Sequence, residues 1–78
     1  MDKRVYDVIE RVSGSDEFLS DIEMDLFEEG ILDSMRAIML IVELENEFDV
    51  SLPPSEMDRD EWNTASKIVK RIEEKLND

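Results

Sequence analysis

The stretch Leu26-Phe27-Glu28-Glu29-Gly30-Ile31-Leu32-Asp33-Ser34-Met35 carries an acidic loop into a long apolar-patterned helix. Asp33 is the natural N-cap, because its carboxylate can accept from the free amides of the first turn. Gly30 supplies a turn just before it. Ser34 then opens the helix, and no histidine or cysteine exists anywhere in the 78 residues to activate it. Serine catalysis needs a base close to the hydroxyl. A serine so placed, without one, points to modification by another enzyme and to a chain that is substrate and carrier. The bland alternative is an ordinary serine in a first helical turn.

The helix is expected over residues 34–48. Ala37, Leu40, Ile41, Leu44 and Phe48 form its core stripe. Met35, Ile38, Met39 and Val42 form a second apolar strip that begins beside Ser34. Two apolar strips mean either burial on most sides or a face kept for a partner. Burial would require the loop over residues 15–32 to cover the second strip. Methionine suits a surface that meets several enzymes in turn, since its thioether adapts to differing partners.

An N-terminal helix is expected over residues 2–12, with Val5, Val8, Ile9 and Val12 on one face. Ser13-Gly14-Ser15 ends it. In the long connection that follows, Phe18, Leu19, Ile22, Met24, Leu26 and Phe27 can pin the chain to the core. An ordered loop of this length is uncommon in a small domain and usually has a function. Pro53-Pro54 blocks any continuation of the second helix, and a short helix is expected over 55–60. Trp62 reads as a core anchor, with an exposed recognition aromatic as the rival reading. The last helix is expected over 65–76, capped by Asn63 or Thr64, with Ala65, Ile68, Val69, Ile72 and Leu76 buried. No run alternates with period two. The expected fold is a small all-α bundle of three main helices, one short third helix and a long first loop, in a single domain spanning 1–78.

The net charge is −13, from 22 acids and 9 bases. It repels nucleic-acid phosphates and anionic lipid and favours partners with basic docking patches. From Val12 to Met35 there are eight acids and no base, and between Arg11 and Lys67 only Arg36 and Arg59 are basic. No apolar run approaches the ~20 residues of a membrane span. The absence of cysteine and of a signal-peptide core points to the cytoplasm. Asp21, Glu23 and Asp25 imitate the start of an EF-hand loop, but Leu26 and Leu32 stand where it needs glycine and glutamate, so no metal site is expected. No pair of carboxylates is marked out for acid–base catalysis.

The acidic chain, the run from Phe27 to Met35 and the helix after it resemble the acyl carrier protein family over nearly the whole length. The resemblance implies an acyl-carrier-like four-helix bundle and a non-catalytic carrier. It implies that a phosphopantetheinyl transferase attaches 4'-phosphopantetheine from coenzyme A to Ser34. Phe48-Asp49-Val50, Pro53, Asp58-Arg59-Asp60-Glu61-Trp62-Asn63-Thr64 and Lys67-Ile68 look like the D-alanyl-carrying branch of that family, and Met35 after the serine suits it. That branch implies a D-alanine-activating ligase that loads D-alanine as a thioester, and membrane acyltransferase machinery that passes it to lipoteichoic acid. Asp33, Met35, Arg36, Met39 and Val42 are the expected docking residues of a monomeric carrier. Arg36-Ala37 replaces the Gly-Thr common in that branch, Met39 replaces a polar residue, and Thr64-Ala65-Ser66-Lys67 also departs from it. Two alternatives are an acyl or aminoacyl carrier of another pathway and a small acidic interaction protein without a prosthetic group.

Overall fold

A computed structural model describes residues 2–53 and 58–77. Helix α1 spans Asp2–Ser13, α2 spans Ser34–Phe48 and α3 spans Ala65–Leu76. Among the described residues, two short 3-10 turns, Glu17–Ser20 and Arg59–Glu61, lie in the connections, and there is no strand. This is the expected all-α, acyl-carrier-like helical architecture. Helices α2 and α3 keep the expected bounds, and α1 runs one residue further than expected. Of the short helix expected over 55–60, residues 55–57 lie outside the described residues; Arg59 and Asp60 belong to the second 3-10 turn.

Helix α1 packs against both α2 and α3. Its Val5, Val8 and Ile9 are buried, as are Leu40, Leu44 and Phe48 of α2 and Ala65, Ile68, Val69 and Ile72 of α3. Burial at i, i+3 and i+4 spacing follows directly from the helical period. Two expectations fail at the margins. Leu76 is exposed, because the last turn of α3 runs beyond the end of the core. Ala37 and Ile41 are only half-buried, because they border an open groove described below. Arg4 pairs with Glu47 at 3.0 Å and Arg11 with Glu43 at 2.9 Å along the exposed α1–α2 edge. Such exposed pairs contribute roughly 0–1 kcal/mol, so the core decides how the helices sit.

The end of α2 is set before the prolines. Asp49 adopts a left-handed conformation with φ 55° and donates its amide to the Glu45 carbonyl. Aspartate tolerates this conformation better than most residues. The Glu45 carboxylate then accepts from the Leu52 amide at 2.9 Å. The stop assigned to Pro53-Pro54 is therefore made several residues earlier.

The long connection is fastened along its length. Phe18 and Leu26 are fully buried, and Ile22, Met24 and Phe27 pack partly against the core. Leu19, expected as an anchor, is exposed, because the 3-10 turn directs its neighbour Phe18 inward instead. The Leu26 amide donates to the Asn63 carbonyl at 2.6 Å, and the Ser66 amide to the Ile22 carbonyl at 3.1 Å. Gly30, at φ 75°, makes the turn that lets the Ile31 and Leu32 amides both reach the Leu26 carbonyl at 2.9 Å.

Trp62 is 5% exposed, so it is the core anchor and not a free recognition aromatic. Its indole Nε1 is buried without an acceptor among the described residues. An unsatisfied buried donor costs ~1–3 kcal/mol, so the ring's contribution comes from packing alone. Trp62→Ala should therefore lower the unfolding free energy by ~3 kcal/mol or more. Trp62→Phe, which removes the orphaned N–H and keeps an aromatic ring, should cost far less. Urea unfolding of both variants tests the pair; equal losses would mean that the indole N–H has a partner.

Candidate functional site

The site begins with the cap. Asp33 is extended, and its Oδ1 accepts the Arg36 amide at 2.8 Å while its carbonyl accepts the Ala37 amide at 2.8 Å. This is the interaction expected from the sequence. It leaves Ser34 as the first helical residue, where the backbone amide has no partner in the helix's own ladder. The Ser34 side chain is exposed, and its hydroxyl and the amides of Ser34 and Met35 make no hydrogen bond among the described residues. Unpaired amides and the positive end of the helix dipole favour an anion at this point.

Ser34 borders an open groove of about 510 Å³. Phe27, Leu32, Ala37, Ile41 and Trp62 give it apolar walls, and Asp33, Asp58 and Arg59 bring charge to its edge. The guanidinium of Arg59 stacks over the Phe27 ring, 4.3 Å from its centroid. Asp58 positions this arginine by accepting the Asp60 amide at 3.2 Å and so nucleating the 3-10 turn. Sequence reading missed the groove. Its only advance signal was that Arg59 and Arg36 are the sole bases in the acidic middle of the chain.

Asp25 fastens the loop half of the groove. Its Oδ1 accepts the Phe27 and Glu28 amides at 2.9 and 3.0 Å, and its Oδ2 accepts from Asn63 Nδ2 at 2.9 Å. The Glu28 amide bond, the Asn63 amide, the Phe27 amide and the nearby Arg59 charge hold its carboxyl below the ordinary aspartate range, against the opposing effect of partial burial. On the other side, Thr64 caps α3 by accepting the Lys67 amide at 3.1 Å. Lys67 Nζ donates to the Asp60 carbonyl at 2.8 Å and to Asn63 Oδ1 at 3.0 Å.

The second apolar strip of α2 faces outward. Met35 is 73% exposed, Ile38 64%, Met39 50% and Val42 49%. The loop does not cover it, so of the two readings open in the sequence the exposed face is the one realised. Arg36 is exposed beside this strip. Met35, Arg36, Met39 and Val42 thus lie on one helix running away from Ser34, with Asp33 as its cap. Among the described residues no acidic group is arranged to hold a metal ion, and no helix is long and apolar enough to cross a membrane.

A hydroxyl free at a helix start, unpaired amides beside it and an open groove form a site at which a phosphoester and a long tethered group both fit. The phosphopantetheine attachment site family matches residues 3–76. A D-alanyl carrier protein of Lactococcus lactis subsp. cremoris strain MG1363 is 67% identical over 78 residues, covering 100% of this chain and 99% of that one. The chain belongs to the D-alanyl carrier protein family. A further D-alanyl carrier protein, from L. lactis subsp. lactis strain IL1403, is 68% identical over the same share of both chains. One from Streptococcus mutans strain UA159 is 55% identical over 64 residues, 77% of this chain and 81% of its own. Membership brings with it a covalently attached 4'-phosphopantetheine, and the rival reading of an interaction protein without a prosthetic group falls away.

The pH dependence of this site follows from Asp25. Its folded carboxyl is lowered, so its stabilising contribution is complete above the unfolded aspartate range and is lost as pH falls through the folded value. Asp25→Ala should therefore be less stable than the parent near neutral pH, and the two should converge in acid. Urea titrations from pH 7 down to pH 3 read this directly; a gap that stays constant or widens in acid would contradict it.

Proposed function

We propose that the whole 78-residue chain is one non-catalytic carrier domain, with Ser34 as the residue that receives the arm. In the attachment reaction the Ser34 oxygen forms a new bond to the phosphorus that bears pantetheine in coenzyme A. The bond from that phosphorus to the nucleotide breaks, 3',5'-ADP leaves, and the serine proton passes to a base of the transferase. The observation that carries this reading is the position of Ser34. It follows the capping Asp33, its hydroxyl is unpaired among the described residues, and the chain has no histidine or cysteine to make it a nucleophile in its own right. When bound, the arm supplies a thiol on which an acyl group is held as an activated thioester. The family supports D-alanine as that group, loaded by an ATP-using ligase and passed by membrane acyltransferase machinery towards lipoteichoic acid. Loading would take place in the cytoplasm, on a monomeric carrier.

The residues around Ser34 serve this role in different ways. Asp33 holds the first turn open for the serine. Arg36 offsets local acidity while the phosphate is added. Met35, Met39 and Val42, with Ile38, offer successive partners an adaptable apolar surface.

Ser34→Ala should fold as the parent does, since alanine is a good helix former, and should never gain the arm. Intact mass after incubation with coenzyme A, magnesium and a phosphopantetheinyl transferase decides this. A variant still modified at another residue would refute the assignment.

Met39→Glu and Val42→Asp test the docking face. Both should keep wild-type helicity, because these side chains are half-exposed, and both should lose D-alanine loading or transfer, because a charge buried in the complex without a partner is costly. Circular dichroism, arm attachment and D-alanine loading are to be measured separately. Loading and transfer at parental rates in both variants would remove the docking role, as would collapse of the fold.

A further inference from the structure

The chain has no cysteine, so its oxidisable sulfur lies in five methionines. Met24, Met35 and Met39 are among the described residues, and their surroundings differ. Met24 is half-buried and packs against the core. Met35 and Met39 are open to solvent, 73% and 50% exposed. They stand four residues apart on α2, so their side chains are neighbours on one helix face. The same face exposes Ile38 and Val42. Neither methionine belongs to the core cluster. Oxidation exchanges a flexible apolar thioether for a polar, chiral sulfoxide. At these two positions the exchange leaves the core alone and alters only what the face can meet.

We infer that Met35 and Met39 form a peroxide-responsive pair that uncouples the carrier from its partner enzymes, an inference that rests on the docking role proposed for this face. A thioether lone pair attacks one oxygen of hydrogen peroxide. The S–O bond forms as the O–O bond breaks, a proton passes between the two peroxide oxygens, and water leaves. The sulfur is oxidised by two electrons and the peroxide reduced by two. Each sulfoxide then sets a hydrogen-bond acceptor where a partner presents apolar surface, and burying that acceptor unpaired is costly. A methionine sulfoxide reductase reverses the change. With a dithiol as reductant, the sulfoxide returns to the thioether, the dithiol closes to a disulfide, and the oxygen leaves as water. A chain without a thiol of its own thus gains a reversible response to oxidant, seated on the surface its partners use.

The test oxidises the full-length apo protein with hydrogen peroxide, because the thiol of an attached arm would itself consume oxidant. The peroxide is removed before the arm is added with coenzyme A and a phosphopantetheinyl transferase. Peptide mass spectrometry should find Met35 and Met39 oxidised well before Met24, with helicity unchanged. Arm attachment or D-alanine loading should then fall about tenfold or more. Methionine sulfoxide reductases acting on both sulfoxide epimers, removed with their dithiol before loading, should restore the parental rates. The Met35→Leu/Met39→Leu protein should keep its own rates through the same peroxide treatment. Should leucine alone lower those rates, reductase rescue of the parent still decides the matter. Oxidation of Met24 as fast as of the pair would overturn the inference. So would a loss that persists after the thioether masses return, or an equal loss in the leucine protein. Unchanged rates with both sulfoxides formed would overturn it too, and Met39→Glu separates the causes. Reduced loading in Met39→Glu would leave the docking role standing and remove only the peroxide response; parental loading would remove both.

Discussion

The carboxylate of Asp25 ties together two parts of the chain that share no helix. One oxygen closes the turn at Phe27 and Glu28, and the other reaches across to Asn63. With this crossing made, the Leu26 amide meets the Asn63 carbonyl, and Leu26 itself fills the core. Phe27 then faces Arg59, and Trp62 is held below. Ser34 inherits its surroundings from these contacts, since α2 alone would present the serine on a bare helix end. A single acid in the loop thus converts a helix start into a site with walls.

How much of this the chain announced varies with the range of the interaction. Helices α2 and α3 were legible to the residue because their signals are local: Asp33 and Thr64 as caps, and apolar residues at helical spacing. The C-terminus of α2 was assigned to the wrong cause. Pro53-Pro54 is the conspicuous breaker, but Asp49 reverses the backbone first, and aspartate's tolerance of the left-handed region does not say which of the chain's aspartates will use it. Periodicity identified the strip of Met35, Ile38, Met39 and Val42 as a face, yet a period cannot say whether a neighbouring segment covers it. The groove was out of reach for the same reason. Phe27, Ile41 and the Arg59–Trp62 turn come from three separate places in the chain, and only tertiary packing brings them together.

The treatment of charge differs between the two edges of α2. Towards α1, arginines answer glutamates directly, Arg4 with Glu47 and Arg11 with Glu43. Near Ser34 the two available bases, Arg36 and Arg59, close no ion pair among the described residues, so their fields remain available for whatever negative group arrives. The helix start adds its own positive end. In a chain whose middle is otherwise acidic, these two bases and the helix start partly offset the charge of Asp33 and Asp58 beside the serine.

The bare apolar strip also bears on how the protein behaves in bulk solution. Four large apolar side chains on one face would ordinarily invite copies to stick together. At neutral pH the net charge of −13 keeps copies apart and gives colloidal stability without covering the strip. That protection fades as the medium approaches the isoelectric point near 4.2, where the same face becomes a seed for precipitation. The acidity of this chain thus works as a solubility device, offsetting the tendency of its exposed apolar strip to draw copies together.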